Sequence, residues 1–218
     1  MIADISLYGI IDPQIARGRS LADLAGLAAR SGMTLLQFRA KTMETRQMIA
    51  EARDIHAALA GTGVPLLIND RVDVALAAGA EGVHIGRDDM HPLDARRLLG
   101  SAAIIGATVK SSGDLASLAD LPISYACIGG VFQTAHKDNA DPPLGVEGFR
   151  TLRREAADRL GPLPVGAIAG ITAANVGSLI AAGADGVAVI GALFGGDDIR
   201  GATEAMAAAI AAARLSER

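Results

Sequence analysis

The 218-residue sequence is poor in cysteine and aromatic residues and has no large excess of either charge. Its one cysteine, Cys127, cannot form an internal disulfide, which favours a reducing cytoplasm. A net charge of -4 argues against general nucleic-acid binding, which needs a basic surface. With no tryptophan, 2 tyrosines and 4 phenylalanines, the chain also has few rings on which single-stranded bases could stack.

Long hydrophobic runs are missing too, so no segment is predicted to span a membrane. The first residues lack the basic start and apolar block of a secretory signal. Hydrophobic residues nevertheless make up 50% of the chain, which excludes a disordered protein and allows one sizeable core. We therefore expect a cytoplasmic protein whose partners are small molecules.

Eight short apolar segments alternate with alanine-rich amphipathic stretches. The predicted strands are residues 7–11, 34–38, 65–68, 82–85, 103–106, 125–128, 165–168 and 186–189. Helical patterns lie at residues 21–31, 45–60, 73–78, 92–99, 172–182 and 201–212. Several strands are continuously apolar, as in parallel strands covered on both faces. The pattern predicts an α/β protein with a single-domain (β/α)8 TIM barrel over residues 1–218.

An internal repeat supports the barrel. Residues 78–83 (AGAEGV) recur as residues 182–187 (AGADGV), where a helix ends at a glycine and a strand begins. The alternative fold is an open, doubly wound sheet, which usually has a glycine-rich turn after its first strand. Here Asp12, Pro13 and Gln14 follow the first strand instead, so we favour the barrel.

Polar residues are concentrated where the predicted strands end. They are Gln37, Arg39, Lys41, Asn69, Asp70, Asp88, Asp89, Thr108, Thr134, His136 and Lys137. In a parallel barrel all C-terminal strand ends lie on one face, where active sites are built. These residues are therefore predicted to converge on one cleft.

The cations Arg39, Lys41 and Lys137 suit a polyanion such as a diphosphate, the alternative being solvated surface charge. Asp70 and Asp89 follow neighbouring strands, and paired carboxylates beside a diphosphate are typical of a Mg²⁺ site. Capping of the following helix is the alternative for Asp70 and for Asp88.

Glycine-containing turns follow the seventh and eighth strands. Gly170 and Gly191, with Ile190, are predicted to form a phosphate-binding cup of backbone N–H groups, with Thr172 capping the next helix. The alternative is that these glycines only make tight turns. His84 and Cys127 lie inside apolar strands and are predicted to be core residues.

In these motifs the sequence resembles the thiamine-phosphate synthase family. The strongest segments are residues 37–41 (QFRAK), 69–73 (NDRVD), 82–89 (GVHIGRDD) and 134–137 (TAHK). The resemblance implies Mg²⁺-dependent condensation of 4-amino-2-methyl-5-(diphosphooxymethyl)pyrimidine with 4-methyl-5-(2-phosphoethyl)thiazole, or its carboxylate. Diphosphate would leave first, and the thiazole nitrogen would attack the pyrimidine-methyl cation.

The resemblance also implies a role for each matching position. The pyrimidine diphosphate would be bound by Gln37, Phe38, Arg39, Ala40, Lys41, Asn69, Thr108 and Lys137. The thiazole phosphate would be bound by Thr134, Ala135, His136, Gly170, Ile190 and Gly191. Asp70 and Asp89 would hold Mg²⁺. The catalytic residues would be Arg39, Lys41, Thr108 and Lys137.

A few positions depart from the family pattern. Lys110 and His136 replace a family His and Thr, Ala169 replaces a Gly, and Gly191 stands where Ser is frequent. Two other functions stay open: a thiazole tautomerase, and a barrel that binds a phosphorylated metabolite without turnover. A homo-oligomer is compatible with the sequence.

Overall fold

The strands form one closed parallel barrel in the computed structural model, which describes residues 3–133 and 142–216. The strands are β1 (Leu7–Ile11), β2 (Leu35–Phe38), β3 (Leu66–Asn69), β4 (Gly82–Ile85), β5 (Ile104–Val109), β6 (Tyr125–Ile128), β7 (Val165–Ile168) and β8 (Gly186–Val189). Each strand is parallel to its sequence neighbours, and β8 closes the barrel against β1. The predicted (β/α)8 fold is confirmed.

Helices surround this barrel. They are α1 (Pro13–Ala16), α2 (Leu21–Arg30), α3 (Thr45–Leu59), α4 (Val72–Ala78), α5 (Pro92–Leu99), α6 (Ser112–Leu118), α7 (Gly145–Leu160), α8 (Val176–Ile180), α9 (Gly191–Phe194) and α10 (Ile199–Leu215). In α2, Ser20 caps the first turn by accepting from the N–H of Asp23, and an apolar face is buried against the barrel. Among the described residues, no helix has the length and hydropathy needed to cross a membrane.

The seventh βα connection differs from its prediction. The helix begins at Val176, not at residue 172, and Thr172 is not its cap. Instead, the N–H of Thr172 donates to Oδ1 of Asn175 at 2.8 Å. The interpretation of Thr172 as a cap was wrong, because a nearby side-chain acceptor holds its N–H in a loop.

Strand side chains alternate between the barrel interior and the helix layer, as the pleat requires. On β1, Tyr8 and Ile10 belong to the interior cluster, whereas Leu7 and Ile11 pack towards the helices. The interior is apolar near the N-terminal strand ends and polar near the C-terminal ends. The polar interior positions are Gln37, Asn69, His84 and Thr108.

Candidate active site

The C-terminal strand ends surround a cavity of about 1070 Å³, to which all eight strands or their following loops contribute. Eleven of the residues predicted from the sequence line it: Gln37, Arg39, Lys41, Asn69, Asp70, Asp88, Asp89, Thr108, Gly170, Ile190 and Gly191. The predicted convergence of distant residues on one cleft is therefore present in the fold.

Two other predicted residues do not line this cavity. Phe38 is fully buried in the core between strands and helices, and Ala40 also packs there, because alternation along β2 turns them away from the cavity. Contacts from these two positions to a ligand in the cavity would have to come from the main chain. Thr134, Ala135, His136 and Lys137 lie outside the described residues.

A charged rim, defined here as Arg39, Lys41, Asp70 and Asp89, follows β2, β3 and β4. Nη1 of Arg39 donates to Oδ2 of Asp12 at 2.5 Å. Asp12 is buried, and its other oxygen accepts from the N–H of Gln14 at 2.9 Å, so the carboxylate is fixed from two sides. Nε of Arg39 is buried without a hydrogen-bond partner in the described part of the chain. Asp12 thus orients Arg39 and leaves one guanidinium N–H unused.

The two acids of the charged rim are in hydrogen-bond contact. Lys41 donates to Oδ2 of Asp70, and the N–H of Gly86 donates to Oδ2 of Asp89 at 2.8 Å. Burial raises the pKa of Asp70, but hydrogen bonds from Lys41 and Asp89 outweigh it and hold the pKa below its usual value. Burial, and then the hydrogen bond with Asp70, raise the pKa of Asp89. Of the two acids, Asp89 is therefore the one that takes up a proton first as the pH falls.

Neither Asp70 nor Asp88 caps a helix. The N-cap of α4 is Arg71 and that of α5 is His91, so the capping alternative for Asp70 and Asp88 is wrong. Asp70 instead adopts a φ of 61°, a left-handed conformation that Asp tolerates better than most residues. In this conformation the Asp70 carboxylate contacts Lys41 and Asp89, and both of these residues line the cavity.

Asp114, near the start of α6, connects the loops after β4 and β5. Its Oδ1 accepts from Nε of Arg87 at 2.7 Å, and its Oδ2 accepts from the N–H groups of Lys110 and Ser111 at 2.8 and 2.9 Å. Burial raises the pKa of Asp114, but these donors outweigh it and the pKa is lowered. The ionised Asp114 thus ties the loop that carries Asp89 to the loop that carries Lys110.

A glycine cup, defined here as Ala169, Gly170, Ile190 and Gly191, follows β7 and β8. Gly170 has a φ of +66°, and a Cβ there would lie 2.4 Å from the carbonyl oxygen of Gln133. Ala169 has a φ of 95°, which an L-residue rarely adopts. Nδ2 of Asn175 donates to the carbonyl of Gly170 at 3.0 Å and holds this turn. The cup is built from main chain rather than from charged side chains.

The cavity floor contains the two predicted core residues of β4 and β6. His84 and Cys127 are both buried, as predicted, and both line the cavity. Burial raises the pKa of the Cys127 thiol to about 12, so the sulfur stays protonated and is a poor nucleophile at neutral pH. The two ring nitrogens of His84 form hydrogen bonds with the hydroxyls of Tyr125 and Thr108.

Comparison with known proteins relates this site to one family. A family model described as thiamine monophosphate synthase matches residues 7–193. A thiamine-phosphate synthase of Agrobacterium fabrum is 53% identical over 210 residues, which cover 96% of each chain. Another, from Methanoculleus marisnigri, is 40% identical over 97% of this chain and 98% of its own. The chain belongs to the thiamine monophosphate synthase family.

A solved structure agrees with this membership. The thiamine phosphate pyrophosphorylase from Pyrococcus furiosus superposes with a TM-score of 0.84 at 30% identity, covering 96% of this chain and 97% of its own. The segment matched by the thiamine monophosphate synthase model contains all eight strands and every predicted site residue. The resemblance inferred from the strand-end motifs is confirmed, and the chain is an enzyme of this transferase family.

Three residues around the site were not predicted from the sequence. Asp12 orients Arg39, Asp114 joins two loops, and Asn175 holds the turn at Gly170. Asp12 and Asp114 are buried acids, a rare placement that requires partners. In the sequence, however, each of these two acids has the ordinary features of a residue at a helix start. That local role gave no indication of the second role beside the site.

Proposed function

We propose that this enzyme condenses 4-amino-2-methyl-5-(diphosphooxymethyl)pyrimidine with 4-methyl-5-(2-phosphoethyl)thiazole, or its carboxylate, in the cytoplasm. The products are thiamine phosphate and diphosphate, with CO2 as a further product when the thiazole carries the carboxylate. The observation that carries the proposal is the charged rim facing the glycine cup across one cavity. A cleft with two anion sites of different construction suits two substrates, one a diphosphate and one a monophosphate.

The charged rim supports binding of the pyrimidine diphosphate. Arg39 and Lys41 line the cavity, and each is held by an acid, Asp12 for Arg39 and Asp70 for Lys41. The Nε–H of Arg39, buried and without a partner among the described residues, is a donor for an anionic oxygen. Arg39 and Lys41, with Lys137, would neutralise the charge that develops on the departing diphosphate.

The residues also fit Mg²⁺. Two carboxylates in contact, Asp70 and Asp89, repel each other unless a cation or proton lies between them, and the raised pKa of Asp89 reflects burial first and then its interaction with Asp70. A divalent cation would lie between the two carboxylates, with their oxygens as ligands. Mg²⁺ bound there would supply further charge neutralisation for the leaving diphosphate.

The glycine cup supports binding of the thiazole phosphate. Main-chain N–H groups near Gly170 and Gly191 would donate hydrogen bonds to its phosphate oxygens at the loop after β7 and the turn after β8, a frequent phosphate site in this fold. Because a Cβ at Gly170 would clash with Gln133, only glycine lets the backbone turn there. The thiazole ring would then lie towards the cavity centre, facing the pyrimidine.

The reaction follows from this placement. The C–O bond between the pyrimidine methylene and the diphosphate breaks, and both electrons leave with diphosphate. The thiazole nitrogen then donates its lone pair to the methylene cation, forming the new C–N bond. No protein nucleophile is needed, and the buried, protonated Cys127 does not provide one. Catalysis therefore rests on positioning and on stabilisation of the leaving group.

The test is to mix both substrates with purified enzyme and to measure diphosphate and thiamine phosphate with and without Mg²⁺. We expect equal amounts of the two products, formed only when the metal and both substrates are present. Isomerisation of a thiazole substrate without diphosphate would identify a tautomerase. Binding of either substrate without turnover would identify a metabolite-binding barrel.

A further inference from the structure

A chain of hydrogen bonds crosses the barrel interior beneath the cavity. Gln37 on β2 donates from Nε2 to the hydroxyl of Tyr8 on β1, which also accepts from the hydroxyl of Tyr125 on β6 at 2.9 Å. Nδ1 of His84 on β4 bonds to the Tyr125 hydroxyl at 2.9 Å, and Nε2 bonds to Oγ1 of Thr108 on β5 at 2.8 Å. Five strands thus contribute one residue each.

Four residues of this chain, Gln37, Tyr8, His84 and Thr108, line the cavity, and Tyr125 is not among the lining residues. Gln37 and Thr108, at the two ends, are two of the residues that the family resemblance assigns to the pyrimidine diphosphate. Tyr8, Tyr125 and His84, in the middle, are 1%, 0% and 7% exposed. Burial raises the pKa of both tyrosines well above the ordinary value, so both hydroxyls stay protonated and able to donate.

The barrel is shaped around this chain. A Cβ on Gly106 would lie 2.2 Å from the Tyr125 hydroxyl oxygen, so only glycine leaves room for that phenol between β5 and β6. The rings of Tyr8 and Tyr125 meet edge to face, with centroids 5.7 Å apart at 90°. Phenylalanine at both positions would fill the same space and would leave no hydroxyl that needs a hydrogen-bond partner. Removing both partners of a buried hydrogen bond is often nearly neutral for stability. Packing alone therefore does not explain why these two residues are tyrosines rather than phenylalanines.

We propose that Tyr8, Tyr125 and His84 are positioning residues that hold Gln37 and Thr108 in the orientations required by the pyrimidine diphosphate. Each end residue is bound on its inner side by the chain, which leaves its remaining donors and acceptors directed at the cavity. The five side chains then act as one unit. A hydroxyl in the middle of the chain that loses one hydrogen-bond partner can rotate, and its hydrogen bond to the other neighbour is then lost as well. The inference rests on the proposed function for the identity of the ligand.

The decisive variant is Tyr125→Phe, which removes the central hydroxyl and keeps the ring. We expect kcat/KM for the pyrimidine diphosphate to fall about tenfold, with an unchanged KM for the thiazole phosphate. In a Thr108→Val background the same change should have less effect, because one of the two groups that it positions is gone. Gly106→Ala should reproduce the Tyr125→Phe result by displacing the ring. Tyr8→Phe gives the same test if Tyr125→Phe does not fold.

Thr203→Val is the matched control. Thr203 is fully buried in α10, and its hydroxyl donates to the carbonyl of Ile199 at 2.7 Å, away from the cavity. It should change stability without changing either substrate's kinetics. If the effects of Tyr125→Phe and Thr108→Val are additive, or if Tyr125→Phe behaves like Thr203→Val, the proposal is wrong.

Crystal structures of the unmodified protein and Tyr125→Phe separate this proposal from the proposed function. We expect Gln37 and Thr108 to adopt new side-chain rotamers in the variant, whatever reaction the enzyme catalyses. Unchanged rotamers would overturn the positioning role even if thiamine phosphate is formed. Absence of thiamine phosphate with altered rotamers would overturn the proposed function and leave the positioning role supported.

Discussion

The charged rim and the glycine cup lie on opposite sides of one cavity but are built in different ways. The rim uses long side chains held by acids, as in the contacts of Arg39 with Asp12 and of Lys41 with Asp70. The cup uses backbone in unusual conformations, with Ala169 and Gly170 both at positive φ. Side-chain charge can be neutralised or screened, whereas backbone N–H groups depend on conformation. The two sides should therefore fail under different perturbations.

The largest effect is expected from removing the carboxylate of Asp89 in the charged rim. Asp89→Asn keeps an oxygen to accept from the N–H of Gly86 but removes a negative ligand for Mg²⁺. Turnover should fall about 10³-fold at limiting Mg²⁺, while the KM for the thiazole phosphate stays near its original value. Diphosphate release as a function of Mg²⁺ concentration measures this.

Asp94→Asn is the control for that variant, because Asp94 is an exposed acid that contacts only Arg97 among the side chains described. Its activity should equal that of the unmodified enzyme. Full activity of Asp89→Asn at limiting Mg²⁺ would remove Asp89 from the metal site.

The next largest effect is expected at the glycine cup. In Gly170→Ala, the new Cβ would meet the Gln133 carbonyl at 2.4 Å and Phe132 at 2.7 Å, so the turn must shift. The KM for the thiazole phosphate should rise about tenfold, and that for the pyrimidine diphosphate should change little. Gly61→Ala has a similar φ of +78° with nothing near its Cβ, so it should affect stability alone. Equal KM changes for both substrates would contradict separate sites.

Ionic strength should distinguish the two sides without mutation. Raising monovalent salt at saturating Mg²⁺ should increase the KM for the pyrimidine diphosphate about fivefold, because salt screens exposed charges such as Lys41. The KM for the thiazole phosphate should rise less, since backbone donors in the cup carry only partial charges. Parallel salt dependences for the two substrates would show that side-chain charge dominates on both sides.

The smallest effect concerns the strain in the cup. Ala169 has a φ of 95°, a conformation that costs an L-residue energy and that glycine adopts freely. Ala169→Gly should therefore raise the free energy of unfolding by about 1 kcal/mol, less than the full strain because glycine also gains entropy in the unfolded chain. Urea unfolding measures the change. Ala167→Gly, in β7, should instead destabilise the protein, and a loss of stability in Ala169→Gly would show that its backbone is not strained.

The rim and the cup were also predictable from the sequence to different degrees. Arg39, Lys41, Asp70 and Asp89 were predicted because charged residues directly after apolar strands must lie at one face of a parallel barrel. The sequence did not predict that Asp12 contacts Arg39, since 27 residues separate them and Asp12 has the features of a helix cap. Likewise, Gly170 predicted a backbone phosphate site with a tight turn as the alternative, but it did not predict that Asn175 would hold the backbone there.

The chain of buried hydrogen bonds was the least predictable feature. Tyr8, His84 and Tyr125 are each a single polar residue within an apolar strand, a pattern typical of ordinary core positions. The sequence of one strand does not show which residues lie opposite it across the barrel. Strand register places His84 and Tyr125 at one level on either side of Gly106, and closure of the barrel brings Tyr8 on β1 into contact with Tyr125.

Local sequence determined the strands, the barrel and the kind of chemistry at its C-terminal face, because hydrophobic patterning and residue type act over a few neighbouring positions. Tertiary structure decided which acid holds which cation, which backbone turns are strained, and which hydroxyls meet inside the barrel. These contacts join residues far apart in the chain. Their energies depend on distance and burial, which exist only once the barrel has closed.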